Sequence, residues 1–165
     1  MNVFMPCASV IESVQSLDDL RLKKQILECK VLLDGAIAYK NGENPNGYFK
    51  HPVAQFYKDY PLFLAFYGLA CCNEHFYRFG NLHSYNDYFR NYTENSLESG
   101  GWLDSPYKVI YAEGRKNTPE CIRETDNEKV YELFKNKLNN KWITDVQKGR
   151  PPKWTKRGKP EWAVI

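Results

Sequence analysis

At 165 residues the chain is long enough for one domain with its own core and short for two. Its 42% hydrophobic and 26% charged content excludes a wholly disordered chain, and no apolar run approaches a membrane span. A net charge of +3 does not by itself argue for a polyanionic partner. The five cysteines form no C-x-x-C pair and mostly sit in apolar runs, which reads as reduced, buried thiols in a cytoplasmic protein. The first ten residues lack the charged and apolar regions of an export signal.

Met1 to Ser16 is expected to begin extended, with Pro6 barring an early helix and Ser16 capping the next element ahead of Asp18 and Asp19. A central helix follows from Leu17 to Ala38 and stops near Tyr39, where KNGENPNG favours turns. On a helical wheel Leu22, Ile26, Cys29, Leu33 and Ile37 form one apolar flank and Leu20, Leu27 and Val31 another. Two flanks predict a helix wedged between other elements, with narrow polar strips left over. One strip holds Asp19, Lys23 and Lys30. The other gathers Arg21, Lys24, Gln25 and Glu28, so that a carboxylate and two cations share a face. A salt-bridged surface accounts for such a strip as well as a functional one does; Leu32 one turn beyond Glu28 favours a pocketed strip.

Pro52 is placed to start a helix, Pro61 to start or kink its second half, and Leu62 to Phe79 reads as a buried helix ended by Gly80 and Asn81. SYNDYFRNY predicts a shorter helix. Periodicity fades from Thr93 to Thr125, where only KVIYAE suggests an extended piece. A last amphipathic helix runs from about Asp126 to Trp142, with Val130, Leu133, Phe134, Leu138 and Trp142 inward and lysines outward. Lys148 to Lys159 then carries six basic residues and no acidic one, interleaved with Pro151, Pro152 and Trp154, a composition drawn to polyanions. The expected fold is mainly α: a single compact bundle of three to four helices over residues 1–165, with long loops and an irregular basic tail from about 146 to 165. His75, beside Glu74 in an apolar helix, reads as structural, and His83 offers nothing specific. No histidines or cysteines have ligand spacing, so neither a metal nor a cofactor is expected.

Phe4 and Pro6, then Leu17, Asp18, Arg21, Leu22, Lys24, Gln25 and Glu28, then His51-Pro52, then Tyr67-Gly68-Leu69-Ala70 follow one another in an order that resembles the pyrimidine-dimer DNA glycosylase family, the phage endonuclease V type and its bacterial relatives. The likeness is carried by the first half; in the second, Arg150, Pro151 and Trp154 resemble the basic end of the phage type. The resemblance implies an α-amino group near the chain start that attacks C1′ of a damaged nucleotide to give an imine, assisted by a glutamate that matches Glu28. An α-amine with pKa about 7.7–8.0 is unprotonated far more often at neutral pH than a lysine at about 10.4, so it needs no burial to act as a nucleophile. Removal of an initiator methionine ordinarily needs a small second residue, and Asn2 is not one, so Met1 and Asn2 both stand as candidate sources of the amine.

Arg21, Lys24 and Gln25 on the same face, His51, and Arg150, Lys153 and Trp154 in the tail are the DNA-facing candidates. His51 fits equally a helix-start histidine bonding nearby backbone, and Trp154 fits either base stacking or packing of the tail. The implied activity is excision of a damaged or modified pyrimidine from double-stranded DNA, with a lyase step in question, by a monomer at the nucleoid of a bacterial or phage-infected cell. Two alternatives stay open: a phage-type enzyme acting on hypermodified bases with the same fold, and a DNA-binding or interaction module without catalysis.

Overall fold

The computed structural model describes residues 2–45, 47–98 and 126–165. Met1, Cys121 and the extended piece expected at Lys108–Glu113 lie outside them. The described residues are mainly helical. Four long helices carry the fold: α2 (Asp19–Lys40), α4 (Pro61–Phe79), α5 (Asn86–Glu98) and α6 (Asn127–Gln147). Among the described residues two short ones, α1 (Val10–Ser16) and α3 (Pro52–Tyr57), turn the chain between them, with a 3-10 turn at Gly47–Lys50.

Local chemistry explains most boundaries. Pro52 and Pro61 open α3 and α4, where a missing N–H costs nothing, and Gly80 ends α4 in the left-handed region at φ 75°. The expectation of Ser16 as the cap needs correction, and a short helix follows the non-helical start. The Ser9 hydroxyl accepts from Glu12 N at 3.3 Å and nucleates α1, while Asp18, not Ser16, precedes α2.

In the core, α2 packs on α4 and α4 on α5, with Leu22, Ile26, Cys29 and Leu33 of α2 fully buried. Gly68 makes the α4–α5 approach possible, because a Cβ there would lie 2.5 Å from the Phe89 ring. The second apolar flank of α2 is not covered: Leu20, Leu27 and Val31 are 55%, 51% and 39% exposed. The helix is therefore not wedged on both sides. A wheel locates apolar stripes but not the partner elements that would bury them.

α6 meets the rest through large side chains. Phe134 sits edge-on to Phe4, and the buried Trp142 donates its indole N–H to Asp18 at 2.7 Å. Val130, Phe134, Leu138 and Trp142 face inward as expected, and the helix runs one turn past Trp142.

The irregular tail folds back on the start of α2. Asp19 N donates to Lys153 O at 2.8 Å, and the Thr155 hydroxyl donates to the Asp19 carboxylate at 2.6 Å. A buried charge network locks this return. Arg78, within α4, donates to Glu74, Asp19, and the carbonyls of Leu17 and Gln15, while Arg157 of the tail grips both Glu74 oxygens at 2.9 Å. Burial pushes the Glu74 carboxyl up, but the hydrogen bonds from Arg157 and Arg78 outweigh it and hold Glu74 below its ordinary value.

Candidate active site

The N-terminal segment is pinned like an added strand between α2 and α4. Tyr67 OH donates to Phe4 O at 2.6 Å from one side. From the other, the Gln25 side chain accepts from Phe4 N at 2.9 Å and donates to Asn2 O at 2.7 Å. Gln25 Nε2 also donates to Glu28 Oε2 at 2.8 Å, so one amide fixes both the segment and the carboxylate. The outcome is a close approach of the chain start to α2: the Asn2 nitrogen stands 3.4 Å from Glu28 Oε2. Glu28 is half-buried, and its other oxygen accepts no hydrogen bond from the described residues.

These groups line a cavity of about 120 Å³ with Phe4, Leu20, Arg21, Lys24 and Lys141. A shallower groove of about 410 Å³ shares Leu20 and Arg21 with it and runs under Gly149, Arg150 and Lys153. Carboxylate, cations and an exposed leucine thus lie at one end of a groove in which Arg21, Arg150 and Lys153 alternate with Asp18, Asp19 and Asp145.

The candidates of the polar strip separate into different roles. Lys24 is exposed, and neither it nor any other cation of the described residues makes an ion pair with Glu28, so a Glu28–Lys24 surface pair does not account for the carboxylate. Arg21 is held by Asp18 at 3.3 Å and by Asp145 of α6, tying the two helices together beside the pocket. Gln25, placed by its face among DNA contacts, is only 1% exposed; its amide is occupied by the N-terminal segment and Glu28, so it positions the site.

His51 lies outside the cavity at the start of α3, where its Nδ1 accepts from Val53 N at 3.2 Å and its ring stacks on Tyr48. Trp154 donates its indole N–H to Ser16 O at 2.9 Å and packs edge-on against Trp142, so its ring is part of the tail's packing. Arg150 and Lys153 are exposed along the groove. His75 is buried, with Nδ1 against Asn81 O at 3.1 Å. No group of three His, Cys, Asp or Glu side chains among the described residues could hold a metal ion, and no helix among them is long and apolar enough to cross a membrane.

Lys141 is the pocket residue that sequence reasoning missed. Although Lys141 is exposed, partial desolvation lowers its ammonium from the ordinary lysine value, Arg21 and Lys24 add to the effect, and Glu28 opposes it. Nothing local marks it out: it comes to α2 only when α6 docks.

A helical domain that sets a carboxylate beside the backbone nitrogen of residue 2, in a cavity shared with Lys24 and Lys141, has groups suited to acid–base and amine chemistry. A family model for pyrimidine dimer DNA glycosylases matches residues 1–87, just over half of the chain, and the chain belongs to that family. The match takes in the N-terminal segment, Gln25 and Glu28 and ends at the start of α5, leaving Lys141 and the tail outside it. Neither the curated proteins nor the solved structures gave a match.

Proposed function

We propose that this protein is a DNA glycosylase that excises a damaged or modified pyrimidine from duplex DNA, with Glu28 as the acid–base group. The observation that carries the reading is the Asn2 nitrogen at 3.4 Å from Glu28 Oε2, inside a cavity that also holds Lys24. Removal of Met1 would turn that nitrogen into a primary amine next to a carboxylate, without relocating the segment. The amine would add to C1′ as the base departs with the bonding pair. Glu28 would take the surplus proton and stabilise the positive charge that develops on the sugar.

The surrounding charges fit a DNA backbone. Lys24, Arg150 and Lys153 are exposed along the path from the cavity to the tail, where they would neutralise phosphates on either side of a flipped nucleotide. The exposed Leu20, at the junction of cavity and groove, would meet the apolar face of the unstacked step. The test is release of base or strand nicking from ultraviolet-irradiated duplex DNA, with unirradiated duplex as control. Excision confined to the irradiated duplex is expected; binding to both with excision from neither would refute the reading.

A further inference from the structure

The pocket holds a second amine. While residue 1 is attached, the Asn2 nitrogen is a peptide nitrogen whose lone pair is delocalised into the amide, and it is not a nucleophile. Lys141 lines the same cavity as Glu28, and its ammonium has no hydrogen bond or ion pair with the described residues. Its backbone starts from a fixed point, because the next residue, Trp142, is fully buried and bonded to Asp18. The charges that face it are Arg21 and Lys24 of α2 and Lys137 of its own helix, opposed by Glu28 alone. Lys141 is exposed as a residue, but on its cavity side partial desolvation and three cations crowding its ammonium favour the neutral form that an imine-forming amine requires.

We propose that Lys141 is a catalytic amine of this site and forms the imine with C1′ of the target deoxyribose in the chain that carries residue 1. The inference rests on the glycosylase reading above. The neutral Nζ adds through its lone pair to C1′ as the C1′–N bond breaks, and the base leaves with that pair and takes a proton from water. Glu28 accepts a proton from the new ammonium and returns it to O4′ as the C1′–O4′ bond opens, leaving a protonated imine. Loss of a C2′ proton then expels the 3′ phosphate oxygen with its bonding pair, and water releases the lysine.

The test is borohydride trapping on a duplex with one abasic site, using the full chain with Met1 retained as verified by intact mass, followed by digestion and mapping of the adduct. The adduct is expected on the peptide that contains Lys141. Lys141→Arg, which keeps the charge but cannot form the imine, should lose the trapped band while binding the duplex as wild type does; Lys141→Gln should lose it too, with folding of both checked by thermal melting. An adduct on residue 1 or 2, with Lys141→Arg trapping normally, overturns the inference and leaves the glycosylase reading standing. Base release from irradiated DNA without any adduct also overturns it and leaves a glycosylase without imine chemistry. Neither adduct nor base release overturns both.

Discussion

Gln25→Leu isolates the device that holds the chain start against Glu28. The substitution keeps the volume close to native and deletes three hydrogen bonds, at 2.9, 2.7 and 2.8 Å. They do not cost the same. Phe4 is 4% exposed, so its N–H is left buried without a partner, a loss of about 1–3 kcal/mol. Asn2 and Glu28 are half-buried, and water can replace part of what they lose. The sum is about 2–4 kcal/mol, which for a chain of this size lowers the melting temperature by roughly 5–15 °C. Excision should suffer more than stability suggests, because a misplacement of about 1 Å at the reacting atoms costs on the order of 10²-fold. Gln25→Glu keeps the acceptor for Phe4 N and replaces the donor by an oxygen facing Glu28, so it should impair excision as well. Thermal melting with single-turnover excision on irradiated duplex measures both effects. A Gln25→Leu protein that melts and excises like wild type would refute the stapling argument.

Gly68→Ala forces a Cβ to 2.5 Å from the fully buried Phe89 ring, so it should cost about 1–3 kcal/mol, partly recovered by Phe89→Leu, as read by denaturant unfolding. Acid should release the tail. Burial raises the Asp19 and Glu74 carboxyls, but hydrogen bonds to Asp19 from Thr155 and Arg78, and to Glu74 from Arg157 and Arg78, hold both below their ordinary values. A depressed folded-state pKa contributes stability above the unfolded value of about 4 that is lost as pH falls through the folded one. Tryptophan emission should therefore shift to the red in that window as Trp154 and Trp162 leave Trp142, and Glu74→Gln should flatten the change; emission constant down to about pH 2 would contradict it. Arg150→Ala and Lys153→Ala should each lower the slope of log K against log salt by about 0.9, whereas Trp154→Phe should show in the melting curve and leave the slope alone. Unchanged slopes for both cation variants would remove the groove from the DNA path.

How much of this was legible in the sequence depended on range. The starts of α3 and α4 and the end of α4 followed from Pro52, Pro61 and Gly80, whose constraints are local. α1 was legible too, in the capping pair Ser9 and Glu12, but Pro6 drew attention to extended backbone instead. Glu28 stood out through its place in the Leu17–Glu28 pattern, and the structure puts it on the cavity. Gln25 shares a strip with Glu28 on the wheel, yet it lies at the border of the buried face, and a wheel cannot tell a polar side chain that faces water from one that bonds a passing backbone. Leu20, Leu27 and Val31 mark the converse error, an apolar stripe left uncovered. Lys141 beside Glu28, and Arg157 on Glu74, exist only through tertiary docking and carry no signal in periodicity or spacing.

The central claim is that Glu28 moves protons in base excision. Its most direct test is the single-turnover excision rate of Glu28→Gln against wild type on a duplex with one pyrimidine dimer, with affinity measured in parallel. Gln keeps the shape of the side chain and a hydrogen-bond acceptor for Gln25, so binding and melting should hold while the rate falls by about 10²–10⁴-fold. Equal rates for the two proteins would contradict the account.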